Sequence, residues 1–209
     1  MDQELIQIFN SEKQKLGVAT RKEVHQKGYW HEAFHCWFVS EEDRNFYIYF
    51  QKRSPLKKEY PNLFDITAAG HLLAHETVQD GVREIEEELG ITLSFQDLIP
   101  LGELKYSIKK ANYIDNEFAH VYVYKSTHTF EDFLLQEEEV SGIIKAKFDD
   151  FYRLWLGKLE TLMINGFEIN NSGQKQQVTK LVNKHHFAPH QPFYYKYILE
   201  AIKQLLSKP

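Results

Sequence analysis

The stretch that most restricts this chain is residues 77–91, TVQDGVREIEEELGI. Val78, Val82, Ile85 and Leu89 stand four, three and four residues apart, which makes one apolar stripe on a helix. Thr77 offers an N-cap and Gly90 a stop, so the spacing predicts a helix over 78–89. Such a stripe must be covered by other parts of the chain, while Glu84, Glu87 and Glu88 share a different flank. Glu84 precedes Glu87 by three residues and Glu88 by four, so the carboxylates converge at the border of the core. Arg83, four before Glu87, is the only cation within the acidic run. Like charges at these spacings repel and cost helix stability. A bound divalent cation removes that cost, and an all-oxygen shell suits Mg²⁺ or Mn²⁺. A solvated acidic face has the same spacing, so spacing alone leaves both readings open.

The rest of the 209-residue chain narrows the classes. With 43% hydrophobic and 14% aromatic residues it can bury a sizeable core. A formal charge of −5 gives no general basic face for nucleic acid. Lys57-Lys58 and Lys109-Lys110 are isolated pairs and read as solvated surface. No apolar run approaches the roughly 18 residues of a membrane span, and residues 1–5 lack the basic and apolar regions of a leader. One cysteine, Cys36, excludes an internal disulfide and reads as a buried strand residue. A soluble cytoplasmic protein without nucleic-acid or membrane partners is expected, with a homodimer left open. No Gly-x-x-x-x-Gly-Lys loop occurs, which removes the kinase and ATPase readings.

Hydrophobic periodicity predicts strands over 5–9 and 16–20, then a short helix over 21–28 stopped by Gly28. The aromatic runs 33–39 and 46–51 form a hairpin, and further strands fall at 118–124 and 143–148. Beyond Asp149 the spacing turns helical at Phe151, Leu154, Trp155 and Leu159, and again at Val178, Leu181 and Val182. A last helix over 194–206 follows Pro192. The expected division is a mixed α/β domain over 1–148 with a helical extension, 149–209, packed on it. In that extension His185, His186 and His190 either line a substrate entrance or cap a loop. Phe193, Tyr194, Tyr195 and Tyr197 read as core.

The order of residues over 83–91, Arg-Glu-Ile-Glu-Glu-Glu-Leu-Gly-Ile, resembles the second half of the Nudix box, Arg-Glu-U-x-Glu-Glu-x-Gly-U, where U is aliphatic. Gly70 and Glu76 keep the upstream spacing of that box, over about 22 residues in all. Six residues then separate Glu76 from Arg83, one fewer than in the family, which shifts where the loop joins the helix. The resemblance implies an α/β (α+β) fold, a mixed β-sheet sandwiched between helices. It implies metal-dependent cleavage of a diphosphate linkage by water attack on phosphorus, with Mg²⁺ or Mn²⁺ as cofactor. Glu87 and Glu88 would then be the main metal ligands, with the carbonyl of Ala69 a further one. Glu84 would act as general base or hold the attacking water, oriented by Arg83. Glu117 is a candidate extra ligand, with an ordinary strand-edge carboxylate as the alternative.

Residues 1–125 more loosely resemble type I isopentenyl-diphosphate isomerase, a relative of the same fold. The resemblance rests on His25, on Trp30-His31-Glu32-Ala33-Phe34, on Ala69-Gly70-His71 where the isomerase has Cys-Gly-His, and on Asp115-Asn116-Glu117. It implies a second site for a metal or for substrate, built from His25, His31, His71 and Glu117. For each histidine singly, a structural imidazole is the alternative. The isomerase exchanges protons through that cysteine, and the methyl of Ala69 exchanges none. The Arg-Glu-x-x-Glu-Glu pattern, which isomerases lose, is intact here. Three readings follow. One is hydrolysis of a small-molecule diphosphate of nucleoside-diphosphate type or related to it. Another is isomerisation of a prenyl diphosphate, and the third is a non-catalytic metabolite-sensing module.

Overall fold

The computed structural model describes residues 3–111, 113–170 and 172–207, so the first two residues of the leader reading lie outside it. In chain order, the hairpin β1 (Leu5–Phe9) and β2 (Lys15–Thr20) is followed by α1 (Arg21–Lys27), β3 (Trp30–Glu42) and β4 (Asn45–Arg53). Two short strands, β5 (Phe64–Asp65) and β6 (Ala68–His71), lead to α2 (Arg83–Leu89). Next come β7 (Ile99–Lys110), β8 (Tyr113–Lys125) and β9 (Val140–Lys147). The chain ends with α3 (Phe148–Trp155), β10 (Leu162–Ile169), β11 (Lys175–Val182) and α4 (Pro192–Leu206). The main path of one mixed sheet runs β11-β10-β9-β4-β3-β1-β2. β8 joins β3 in parallel, and β6 joins β3 in antiparallel sense.

β3 organises the core because both of its faces are covered. Phe34, Cys36 and Phe38 pack with Ile85 and Leu89 of α2. Trp37 and Val39 point to the opposite face, where α3 and α4 contribute Phe151, Leu154, Tyr194 and Ile198. A strand buried on both sides reads as a continuous apolar run, as this one does. Cys36 is fully buried, as expected, and burial raises its thiol pKa. α1 also forms as expected. The Thr20 hydroxyl accepts from the Glu23 N–H at 3.3 Å, and Gly28 at φ +67° ends the helix.

Two expectations are corrected. The helix read over 78–89 is a 3-10 helix over Val78–Val82, and α-helical geometry begins only at Arg83. Asp80 accepts from both the N–H and the hydroxyl of Thr77, which ties the first turn to its own cap. Gly81 is poor in an α-helix interior, and it is needed for close approach: a Cβ there would lie 2.7 Å from Cβ of Phe34. The apolar stripe nevertheless survives, with Ile85 and Leu89 buried and Val78 and Val82 packed at their margin.

The segment 149–209 is not all helix. α3 and α4 are helices, but Val178, Leu181 and Val182 lie on β11, and β10 pairs with β9 through Ile164↔Ala146 and Gly166↔Ile144. The spacing of those three fits the helical period, but long-range pairing decides, and it leaves Leu181 exposed on the face opposite Val182. The pairing needs a glycine, since a Cβ on Gly166 would lie 2.6 Å from Cα of Ile144. The hairpin thus widens the main sheet, while α3 and α4 complete the larger core. β7, a twelve-residue strand alongside β8, also went unread in the sequence. Among the described residues no helix is long and apolar enough to cross a membrane.

Candidate active site

β6, α2 and the loop before β9 enclose a cavity of about 380 Å³. Glu84, Glu87 and Glu88 of α2 line it together with Glu76, Arg83 and Glu139. Gly70 explains how Glu84 reaches it: a Cβ at residue 70 would lie 2.1 Å from Cδ of Glu84, so glycine lets β6 pass so close with this carboxyl in place. Arg83 is the hub. Its Nη1 lies 2.8 Å from Glu84 Oε1 and donates to Glu87 Oε2 at 2.9 Å, and its Nη2 donates to Glu76 Oε2 at 3.0 Å. Glu76 also accepts from the Leu73 N–H at 2.7 Å. The shortened loop therefore keeps Glu76 beside the helix as a partner of Arg83.

Burial sets the charge behaviour here. It pushes the Glu84 carboxyl up to about 7 against the pull of Arg83, and neighbouring Glu87 pushes the same way. Glu88 is pushed to about 8 by burial and by Glu84, although the Ala69 N–H and Gln51 Nε2 each donate to its Oε2 at 3.1 Å. Glu87 differs, with 54% of its side chain exposed. Glu139 is the residue that the sequence did not disclose. It pairs with Lys57, while its Oε1 is buried with no hydrogen-bond partner among the described residues. Lys57 is a correction as well, because it is partly buried and lines the cavity instead of lying on open surface.

A second, inner cavity of about 110 Å³ shares Arg21, Lys57, Ala69, Gly70, His71 and Glu88 with the first. His71 of β6 and Asp115 of β8 stand on its wall, and with His25 of α1 and His31 of β3 behind them they bring one ligand atom each within 4.8 Å of one another. Strand register brings them together, since β3 pairs Ala33 with His71 on one side and His31 with Glu117 on the other. α1 is held down by Asn116 Nδ2, which donates to the Gly28 carbonyl at 2.6 Å. Asp115 entered the sequence reading only as part of Asp115-Asn116-Glu117 and was not assigned to the site, yet it lies 3.4 Å from His25 Nε2 and 3.3 Å from His31 Nε2. Glu117 stands beside this set, 3.8 Å from His71 Nε2 and 3.3 Å from His35 Nε2, and it lines the inner cavity and not the outer one.

Burial opposes the charged form of His31, but Asp115 and Glu117 outweigh it and raise the pKa. His71 goes the other way, held well below the usual value by burial and by Arg21 and His31. His25 Nε2, His31 Nε2, both nitrogens of His71 and Asp115 Oδ1 are buried without hydrogen-bond partners among the described residues. Unpaired buried polar atoms of this kind are rare, and imidazoles grouped with a carboxylate fit a divalent cation. The glutamates of the outer cavity line one space but are not among the groups whose ligand atoms come that close, although oxygen ligands of this kind suit a harder ion. A third group, Glu32, Glu103 and His120, is different in kind: Lys13 already pairs with both glutamates.

A sequence model of the NUDIX domain matches residues 29–162. An uncharacterised Nudix hydrolase of Clostridium acetobutylicum is 41% identical over 202 residues, covering 97% of this chain and 98% of its own. An isopentenyl-diphosphate Delta-isomerase of Aliivibrio fischeri is 29% identical over 142 residues, covering 67% of this chain and 78% of its own. The crystal structure of a Deinococcus radiodurans protein shares the fold at 18% identity, with a TM-score of 0.56 over 75% of this chain and 91% of that one. With the glutamate helix and its motif glycine in place, the chain belongs to the Nudix hydrolase family.

Proposed function

We propose that the protein hydrolyses a phosphoanhydride bond of a small-molecule diphosphate by water attack on phosphorus. The observation that carries this is the convergence of Glu84, Glu87, Glu88 and Glu139 on one cavity that also presents Arg21, Lys57 and Arg83. The carboxylates would hold Mg²⁺ or Mn²⁺, and His25, His31, His71 and Asp115 a second cation. Bound ions of this kind acidify water and neutralise charge on phosphate oxygens. Glu84 takes the proton from the attacking water; it is the carboxyl that β6 and Arg83 hold in the cavity, and burial raises it to about 7 in the metal-free protein. Arg83 fixes its orientation from 2.8 Å. Arg21 and Lys57, on the wall shared by the two cavities, draw in the diphosphate and hold its charge. A cytoplasmic setting suits the single, buried, unpaired Cys36.

The isomerase alternative needs a proton-exchanging group where Ala69 lines both cavities with a methyl. Incubation of isopentenyl diphosphate in D₂O with Mg²⁺ is expected to give no carbon-bound deuterium and no dimethylallyl diphosphate. Mg²⁺-dependent phosphate release is expected from at least one member of a panel of nucleoside and alkyl diphosphates. Enzyme-dependent deuterium in the prenyl chain would overturn the hydrolase reading. A panel bound but left uncleaved would favour the sensing module.

A further inference from the structure

His190 reaches the inner cavity from the C-terminal part of the chain. The Ala188 N–H donates to the Phe64 carbonyl at 2.7 Å, so the backbone before α4 runs beside β5. That path sets His190 against Asp65, with Nε2 2.6 Å from Oδ1, while Asp65 Oδ2 accepts from Arg53 Nη1 at 2.9 Å. Tyr194 stacks on the imidazole with ring centroids 4.9 Å apart and an interplanar angle of 29°. The side chain is 8% exposed, and its other nitrogen, Nδ1, is buried without a hydrogen-bond partner among the described residues. The ring is therefore fixed at one nitrogen and unsatisfied at the other, in the wall of a cavity. An unpaired buried nitrogen in such a place favours a ligand atom that can pair with it.

The chemistry of that atom follows from Asp65. A carboxylate only accepts, so the proton of the neutral ring sits on Nε2 and leaves Nδ1 an acceptor. A hydroxyl group donates to it, and a hydroxyl oxygen equally accepts from the charged ring. A hydrocarbon does neither and would leave Nδ1 stranded. The cavity holds about 110 Å³, against roughly 30 Å³ for one water in the liquid, so it suits a group of a few non-hydrogen atoms. We propose that the inner cavity receives the carbon-bearing group of the substrate, and that His190, anchored by Asp65, selects a compact hydroxylated group over a hydrocarbon. This rests on the reading above that the diphosphate lies over the glutamates of the outer cavity, whose shared wall leads the organic end inward.

Two probes of matched length separate the cases, 2,3-dihydroxypropyl diphosphate and propyl diphosphate, with binding measured by calorimetry in Ca²⁺ to hold turnover down. The wild-type protein is expected to bind the hydroxylated probe tighter by roughly tenfold or more. His190→Phe keeps a stacked ring and loses both nitrogens. It should weaken the hydroxylated probe alone and bring the two affinities to within about threefold. Should that variant not melt cooperatively, Asp65→Asn, which loosens the anchor, should shrink the same ratio. Equal wild-type affinities, no binding of either probe, or a ratio that survives His190→Phe would each overturn the proposal. Selective binding without phosphate release in Mg²⁺ would count against hydrolysis and leave the selection standing. Hydrolysis without selection would do the reverse.

Discussion

At Glu88 burial opposes two hydrogen bonds, and burial wins. Its carboxyl accepts from Gln51 and Ala69, yet it is held near 8 because the side chain sits inside the protein beside Glu84. A carboxyl whose folded pKa is raised holds its proton more tightly folded than unfolded. The metal-free protein therefore loses stability from this group as pH rises from about 4.5 through about 8. Glu88→Gln removes that loss. The gap in metal-free Tm between the variant and wild type should be small at pH 5 and widen toward pH 8, by roughly 2–4 °C for each kcal/mol relieved. A gap independent of pH would contradict the burial argument. Glu84 is a separate case, because it is proposed to move a proton more than to hold an ion. Glu84→Gln should cut turnover by about 10²–10⁴ while lowering Mg²⁺ affinity less than Glu88→Gln does. Equal losses of metal affinity with no specific rate defect would remove it from the role of base.

Among the elements, α2 and β6 make the site together, and their contact is set at Gly70. A methyl there would displace the Glu84 carboxyl, so Gly70→Ala should abolish most turnover while the melting temperature stays near wild type. Retained activity would mean that Glu84 does not work from this position. The glutamates, Arg83 and the strands β1 to β4 were legible because local periodicity and residue order encode them. The three histidines were legible only through resemblance. Glu139, Lys57, the place of Asp115 beside the histidines and the pairing of His190 with Asp65 were not, since each acquires its neighbour through contacts between elements far apart in the chain. The 3-10 helix over Val78–Val82 escaped notice because the approach of Gly81 to Phe34 is invisible until β3 is in place. β10 and β11 likewise depend on pairing with β9, which no short run announces. The tight fit at Gly166 gives that pairing a test. Gly166→Ala should destabilise by about 1–3 kcal/mol through overpacking, read as a lower denaturation midpoint, and an unchanged midpoint would deny the close pairing.

In the whole molecule, the sheet divides two kinds of work. α2 covers one face and carries the carboxylates, while α3 and α4 cover the other and the segment between β11 and α4 delivers His190. The two cavities meet at Ala69, Gly70 and His71, so β6 is the strand on which both sites depend. The family explains the glutamate helix, and the joined cavities suggest that one end of a small substrate is cleaved while the other is recognised. The most direct test of this account is the fate of oxygen. The best-cleaved diphosphate of the panel, turned over in H₂¹⁸O with Mg²⁺, should carry the label in a phosphate product, at a rate that collapses in Glu84→Gln. Label in the alcohol product would mean that a carbon–oxygen bond breaks instead, and it would contradict water attack on phosphorus.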